Sequence, residues 1–375
     1  MKIKVALFLL LSSVALSLPA QPSEARKKIL FLIPFYTQDY TGGVPANVRT
    51  EQDIKSVNSF LLMGFWAGAQ IALEEYDAQN TPLDVVVKDV TEDEAALRKI
   101  LDDEGFMRDV DLIIGPFFSR TFRIAADYAK RYRIPIVNPF TNRTDILDGN
   151  EYVFKVTPSM ESKPISISYV AEQYPDHKII LYRDSASKNQ EQEAYRNYFN
   201  RQKVPFREVY TQNALLGEIA PGKKNIVLTF TQNTASMLML SRDLLYKANP
   251  NDLMLVVPET WLRSKTYDME YYSKLNLHFF SNFHVDGKDP QTQVFEQRFL
   301  EKFKTRPTLD NYAYQGYDIT RFFVELARNN GDVDRVKNTS VAFPMSFEKT
   351  KGGGYENVNI NFLEVRDDEV VPVRF

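Results

Sequence analysis

Polar residues that could bind a small ligand follow several apolar segments predicted to be strands. Ser119, Arg120 and Thr121 follow one such segment and begin a predicted helix. The first N–H groups of a helix lack partners within the helix and lie at the positive end of its dipole, so this turn could hold a carboxylate. Ser is also a preferred N-cap residue, and an ordinary cap would explain the same pattern. Arg120 would strengthen an anion site but could equally point to solvent.

Other polar residues occupy the same position after other predicted strands. In open α/β sheets ligands bind beyond the carboxyl ends of the strands, so these positions are candidate ligand contacts. They are Thr141 and Asn142, Asp184 and Ser185, and Glu259 with Trp261 close behind it. The alternative is a solvated loop for the polar residues and a place in the core for Trp261.

The sequence has no pattern of catalytic or metal-binding residues. Its three histidines, His177, His278 and His284, lack the spacing of a metal site, and there is no cysteine. No G-x-S-x-G, P-loop or G-x-G-x-x-G motif occurs. The three glycines at 352–354 precede a predicted strand and indicate a turn, not a phosphate loop. We therefore expect neither an enzyme nor a cofactor or metal site.

The first residues are typical of a secretory signal peptide. Lys2 and Lys4 precede an apolar run at 5–18, and Ala20 supplies a small residue for cleavage, with Ala25 as an alternative. The run is shorter than the about 20 apolar residues of a membrane span. We expect a periplasmic or secreted protein, and without cysteine it is not a lipoprotein.

Size and charge indicate two domains and exclude one class of partner. The chain has 375 residues and is 44% hydrophobic, which is ample for two cores. Its formal net charge is -3 and it has no basic run, so we do not expect a nucleic-acid partner. No segment after the first residues is apolar enough to span a membrane.

Predicted strands and helices alternate along the chain. Strands are predicted at 29–33, 84–87, 110–114, 134–137, 178–182, 206–210, 225–230 and 252–257. Helices are predicted at 60–76, 92–104, 121–132, 189–202, 234–246, 291–303 and 311–329. This alternation is typical of parallel sheets covered by helices on both faces. The predicted fold class is α/β, with two Rossmann-like lobes.

The alternation of strands and helices forms two cycles, one before and one after Pro158. The end of each cycle predicts how the lobes are connected. Pro158 separates the two cycles, residues 277–286 break the second, and the C-terminus predicts a β-hairpin around Asp367-Asp368-Glu369. We expect three crossovers, near 156–158, 282–286 and 330–333. The predicted divisions are a signal peptide at 1–20, lobe one at 28–156 plus 285–330, and lobe two at 157–284 plus 331–375.

A polar segment at 38–59 has no clear periodicity and contains Gly42, Gly43 and Pro45. A loop of this length in a compact domain is usually functional or disordered. We expect it at the surface, near a cleft mouth or a partner.

Several segments, in order, resemble type I periplasmic binding proteins of the leucine- and amino-acid-binding group. The resemblance covers nearly all of the mature chain. The segments are 64–75, 86–89, an "IIGP" turn at 113–116, an "IPxxxP" segment at 134–139, 152–159 and 314–318. The chain is most similar to a branch in envelope proteins of Bacteroidetes-type bacteria, often fused to LysM modules, whose ending resembles residues 352–357.

The resemblance implies two lobes that close about hinge crossovers and trap a solute between them. In amino-acid binders of this family, hydroxyls at the positions of Ser119 and Thr141 contact the ligand carboxylate. An acidic residue at the position of Glu259 pairs with the ligand ammonium. Near Asp184 the family usually has an aromatic residue and a glycine, which this sequence lacks.

Two functions follow from the resemblance. One is a periplasmic solute-binding protein, of the kind that serves an ABC transporter, holding a small polar ligand such as an amino acid. The alternative is a scaffold or regulator in the cell envelope, in peptidoglycan or outer-membrane assembly, with a protein partner. In that case we expect a cleft plugged by Phe117, Phe118, Phe140 or Trp261.

Overall fold

Two seven-stranded, mostly parallel sheets form the framework of the protein. A computed structural model describes residues 25–40, 58–183, 189–262, 267–307, 312–337 and 339–373. The predicted signal peptide, Asp184, Ser185 and most of the segment at 38–59 lie outside the described residues. The two-lobed α/β class predicted from the sequence is confirmed.

The first sheet, with the helices packed on it, forms lobe one. Its strands are β1 (Lys27–Ile33), β2 (Leu83–Asp89), β3 (Leu112–Ile114), β4 (Ile136–Asn138), β5 (Val153–Lys155), β11 (Phe347–Lys349) and β12 (Tyr355–Asn357). They lie in the order β11-β12-β5-β4-β3-β1-β2. Its helices are α1 (Asn58–Ala78), α2 (Glu94–Leu101), α3 (Glu104–Met107), α4 (Ser119–Tyr132), α10 (Pro290–Phe303) and α11 (Tyr312–Arg328).

The second sheet and its helices form lobe two. Its strands are β6 (Lys178–Tyr182), β7 (Arg207–Val209), β8 (Asn225–Thr229), β9 (Leu253–Val256), β10 (Leu277–Ser281), β13 (Asn361–Arg366) and β14 (Glu369–Pro372). They lie in the order β14-β13-β10-β9-β8-β6-β7. Its helices are α5 (Ser162–Glu172), α6 (Gln190–Gln202), α7 (Gln212–Glu218), α8 (Thr234–Lys247) and α9 (Met269–Lys274).

Central strands are apolar along their length because helices cover both faces of each sheet. Residues 29–33 of β1 are all fully buried. Helices α1 and α11 meet so closely that only glycine fits at two points. A Cβ on Gly68 would lie 1.8 Å from the Ala313 oxygen, and one on Gly316 would lie 1.9 Å from the Phe65 oxygen.

Two parts of the chain differ from the prediction. Residues 277–281, predicted to break the second cycle, form the fully buried strand β10, parallel to β9. Strands β11 and β12, predicted to lie in lobe two, belong to the first sheet, where β12 pairs with β5. Tyr355 of β12 stacks on Phe154 of β5 with ring centroids 4.7 Å apart. The third crossing is therefore at 358–360 and not near 330–333.

The chain passes between the sheets three times, each time at the carboxyl edge of the parallel strands. It leaves the first sheet after β5, returns after β10, and leaves again after β12 to enter β13. Because β13 is antiparallel to β10, its first residue Asn361 pairs with Ser281, the last residue of β10. The carboxyl edges of the two sheets therefore face each other across a cleft.

A buried ion pair holds the first and third crossings together. Lys155 Nζ lies 3.1 Å from Glu356 Oε1 and donates to the Thr157 carbonyl at 2.6 Å. The same Glu356 oxygen accepts the Ser159 N–H at 2.6 Å and the Ser162 hydroxyl at 3.3 Å. Lys155, Glu356, Ser159 and Ser162 form what we call the hinge network, which links β5 and β12 of lobe one to the start of α5 in lobe two.

The charge states of the hinge network follow from its burial. Burial lowers the pKa of the Lys155 ammonium, and the Glu356 carboxylate only partly offsets this. Burial alone would raise the pKa of the Glu356 carboxyl, but the Lys155 charge and the Ser159 hydrogen bonds outweigh it and lower that pKa. The carboxylate is thus the better stabilised partner, because several donors converge on it.

Replacing Glu356 should leave a buried, unpaired ammonium. We expect Glu356→Gln to lower the free energy of unfolding by about 3–5 kcal/mol, the usual cost of breaking a buried pair. Lys155→Met combined with Glu356→Met should recover much of this loss. Urea unfolding measures both effects. The exposed pair between Glu151 and Lys349 supplies the control, since Glu151→Gln should change stability little. Equal effects of Glu356→Gln and Glu151→Gln would contradict this account.

A buried carboxyl group fixes the segment that leads to β11. Asp318 of α11 accepts backbone N–H groups from Val341 at 2.8 Å, Ala342 at 2.9 Å and Phe343 at 2.8 Å. Burial raises the pKa of Asp318 to about 7, and the three donors and Arg321 offset this only in part.

This raised pKa predicts a pH dependence of stability. An unfolded Asp titrates near about 3.9, so between about pH 4 and pH 7 the folded protein retains a proton that the unfolded chain has lost. The free energy of unfolding should therefore fall as the pH rises through this range. Asp318→Asn cannot titrate and should lack this component. Urea unfolding of both proteins at about pH 5 and about pH 8 tests it, and identical pH dependence would contradict it.

Candidate functional site

Asn138 joins the two loops that form the cleft edge of lobe one. It ends β4 and is fully buried. Its Nδ2 donates to the Pro116 carbonyl at 3.4 Å, and its Oδ1 accepts the N–H groups of Phe140 at 3.1 Å and Thr141 at 2.9 Å. One side chain therefore positions the loops after β3 and β4 relative to each other.

Helix α4 begins at this edge without a side-chain cap. Phe118 occupies the N-cap position, and its side chain has no atom that could accept an N–H group of the first turn. Ser119, the first helical residue, is half-buried. The helix start therefore has the features of an anion site: N–H groups that no side chain caps and a hydroxyl beside them.

The two residues after Ser119 are directed elsewhere. Thr121 is fully buried, and its hydroxyl donates to the Phe118 carbonyl at 3.1 Å. The prediction that Thr121 contacts a ligand is therefore wrong, because its side chain completes the packing of its own helix. Arg120 is exposed and forms an ion pair with Glu94 of α2.

The loop after β4 places one hydroxyl at the same edge. Thr141 is half-buried, and its Oγ1 accepts the Arg143 N–H at 3.2 Å, which leaves the hydroxyl proton able to donate to a ligand. Asn142 is exposed. Ligand contacts by Ser119, Thr141 and Asn142 stay predictions.

Aromatic rings fill the space between these polar groups. We call Phe65, Phe117, Phe140 and Tyr312 the cleft aromatic cluster. Phe117 lies edge-to-face with Phe65 at 5.0 Å and with Phe140 at 4.8 Å, and Phe140 contacts Tyr312 at 5.3 Å between ring centroids. Phe65 and Phe117 are buried, whereas Phe140 and Tyr312 are half-buried and complete the surface of this edge.

The facing edge of lobe two contains a small cavity with charged walls. Glu259, in the short 3-10 turn Glu259–Trp261 after β9, lines a cavity of about 190 Å³. Lys163 of α5 and Glu191 of α6 line the same cavity and pair at 2.7 Å. This edge therefore presents one ammonium and two carboxylates, against the aromatic surface of lobe one.

Trp261 does not form a wall of this cavity. It is 1% exposed, lies in the core of lobe two, and its Nε1 donates to the Thr231 carbonyl at 2.8 Å. Tyr272 in turn donates to the Trp261 carbonyl at 2.8 Å. The prediction of a cleft contact for Trp261 is wrong, because this large ring is needed to fill the core below Glu259.

Comparison with known proteins yields a fold and no sequence relative. No protein-family model and no curated protein matches the sequence. Solved structures do match, at low identity. A Rhodospirillum rubrum protein assigned to branched-chain amino acid ABC transport has a TM-score of 0.62 at 14% identity over 93% of this chain and 100% of that chain. The protein has the type I periplasmic binding protein fold.

Two further structures show how broadly this fold is used. An ABC transporter substrate-binding protein from Desulfitobacterium hafniense matches with a TM-score of 0.55 at 17% identity, over 93% of this chain and 100% of that chain. The C-domain of Haemophilus influenzae LpoA, described as a regulator of PBP1A, matches with a TM-score of 0.56 at 11% identity, over 93% and 100%. The fold thus occurs both in transport proteins and in a regulator.

Sequence reasoning missed Lys163, Glu191 and Asn138 as parts of the two facing sheet edges. Lys163 lies just after the first crossing and Glu191 just after the N-cap Asn189, so both begin helices at a strand's carboxyl edge. Their position at the start of a helix that follows a strand is the sequence feature that could have identified them. Among the described residues no cluster of His, Cys, Asp and Glu could hold a metal ion. No helix within them has both the length and the apolar content of a membrane span.

Removal of Asn138 should disorder the cleft edge of lobe one. Asn138→Ala leaves the N–H groups of Phe140 and Thr141 without their acceptor, and we expect a loss of about 1–3 kcal/mol in the free energy of unfolding. Asn142→Ala, at an exposed position in the same loop, is the matched control. Urea unfolding distinguishes them, and equal stability of the two variants would show that Asn138 has no organising role.

Proposed function

We propose that the protein is a solute-binding-type protein that holds a small polar ligand in the cleft between its lobes. The observation that carries this proposal is the charged cavity around Glu259, which opens at the carboxyl edge of the second sheet. Ligands of open α/β sheets bind at this edge. Across the cleft, the uncapped start of α4 and the hydroxyls of Ser119 and Thr141 supply donors for an anionic group.

The chemistry of the two edges favours a zwitterion with an apolar part, such as an amino acid. A carboxylate would accept hydrogen bonds from the first turn of α4, where the helix dipole favours negative charge. An ammonium would pair with Glu259. Phe140 and Tyr312 would contact an apolar side chain. The similarity to transport proteins of the same fold supports such a ligand. Because the identity is only 14–17%, that similarity shows the fold and not the ligand.

The proposal places the mature protein in the periplasm or outside the cell, after removal of residues 1–20, and assigns it no reaction. A membrane permease would be its partner if it serves transport.

A second function, an envelope scaffold or regulator, is favoured by a different observation. The cleft aromatic cluster buries Phe117 and half-buries Phe140, as expected for a plugged cleft. The hinge network also ties the crossings together, which restrains hinge closure. The LpoA C-domain supports this alternative as a regulator with the same fold, as does the resemblance to the Bacteroidetes envelope branch.

Thermal unfolding of the mature protein with each common amino acid separates the two functions. A ligand that binds only the folded state raises the melting temperature by mass action. For any amino acid that does so, Glu259→Gln should weaken binding by about tenfold or more, since a charge-assisted hydrogen bond contributes about 1.5–3 kcal/mol.

Glu270→Gln is the matched control, because Glu270 is exposed on α9 of lobe two and pairs with Lys274 outside the cavity. It should leave affinity unchanged. Stabilisation by no amino acid, at millimolar concentration, would contradict the amino-acid proposal and favour the scaffold. Binding that Glu259→Gln leaves intact would contradict the role given to this carboxylate.

A further inference from the structure

A second candidate site lies at the outer pole of lobe one, away from the cleft. A cavity of about 410 Å³ opens at the amino ends of β1, β3, β4 and β5. Because these strands are parallel, their amino ends lie at the edge of the sheet opposite the cleft. The cavity falls in the range of about 300–1,000 Å³ usual for small-molecule sites.

Three tyrosines line this cavity. Tyr132 ends α4, Tyr152 precedes β5, and Tyr355 begins β12, where its ring stacks on Phe154. All three are half-buried. None of the three hydroxyls bonds to another side chain or to the backbone of the described residues. The cavity therefore presents apolar ring surface together with hydroxyls that no described residue bonds.

Some of the charged groups around the cavity already have partners, and one has none among the described residues. Lys27 Nζ is bound to Asp111 and to Asn330, at 3.1 Å each, and Glu151 is paired with Lys349. Arg133, which ends α4 in the left-handed region at φ 59, makes no side-chain ion pair or hydrogen bond with the described part of the chain. Arg133 is exposed, so its N–H donors are accessible to a ligand that enters the cavity.

Helix ends indicate the charge of the ligand. The C-terminal ends of α4 and α11 border the cavity, at Arg133 and at Asn330-Gly331. The N–H groups of residues 133, 134, 330 and 331 already bond to last-turn carbonyls of these helices, so the two ends contribute mainly the negative end of the helix dipole. They disfavour a phosphate or carboxylate and favour a ligand that donates hydrogen bonds.

We propose that this cavity binds a neutral saccharide. A sugar ring has an apolar C–H face and a rim of hydroxyls, and tyrosine matches it with an apolar ring and a polar tip. Sugar hydroxyls would donate to the tyrosine hydroxyl oxygens and accept from Arg133 and from the tyrosine O–H groups. The site is separate from the interlobe cleft and stands whether or not the cleft binds an amino acid.

Isothermal titration of the mature protein with cellotriose, maltotriose and tri-N-acetylchitotriose tests the site. At least one should bind, and trigalacturonate, which carries carboxylates on similar rings, should bind more weakly. Tyr152→Ala should lower the affinity for the trisaccharide that binds at least tenfold, and Tyr152→Phe should lower it less. Arg133→Asn should also weaken it, and Asn tolerates the left-handed backbone at this position.

Tyr246→Ala is the matched control, because Tyr246 is 78% exposed on α8 of lobe two, outside the cavity. It should bind as the wild type does. If Tyr152→Ala fails to fold, the trisaccharide affinity of Arg133→Asn alone tests the site. Binding of none of the three neutral trisaccharides by the wild type overturns the proposal. So does binding that neither Tyr152→Ala nor Arg133→Asn weakens.

Discussion

The buried pair between Lys155 and Glu356 is the contact on which the arrangement of the two lobes depends. It joins residues two hundred positions apart in the sequence, at the point where two of the three crossings leave the first sheet. A buried pair of this kind adds little stability compared with apolar packing, but losing one partner is costly. Its role is therefore one of specificity: β12 must lie beside β5 for either charge to be tolerated, and α5 must begin where Ser159 and Ser162 can reach Glu356.

This arrangement determines where function can reside. With the crossings held together, the carboxyl edges of the two sheets face each other, and the amino edges face solvent. The two facing edges differ in chemistry. In lobe one, aromatic rings around Phe117 fill the edge, and the half-buried hydroxyls of Ser119 and Thr141 lie beside them, whereas lobe two has a charged cavity around Glu259. The zwitterion with an apolar side chain that we propose would complement both edges. A purely anionic ligand would meet two carboxylates in lobe two.

Most of the sheet could be predicted from the sequence because buried parallel strands are continuous apolar runs. The prediction for β6 agrees at both ends, and those for β1 and β8 differ by a few residues. The helix predicted at 92–104 ends at Leu101 because Asp103 caps a new turn by accepting the Phe106 N–H. Strands β11 and β12 have three residues each, and only the pairing of β12 with distant β5 attaches them to the first sheet, so no local pattern reveals their place. The same limit applies to the site. Position after a strand made Ser119 and Glu259 candidates, and their ligand contacts stay predictions, but it could not show that Thr121 and Trp261 turn inward.

The most direct measurement of the central claim, a ligand-binding cleft between facing sheet edges, is a crystal structure of the mature protein purified without unfolding. The account predicts density for a small molecule that contacts the first turn of α4 on one side and the Glu259 carboxylate on the other. A structure in which Phe140 and Tyr312 pack directly against lobe two, and leave no space at Glu259, would contradict it.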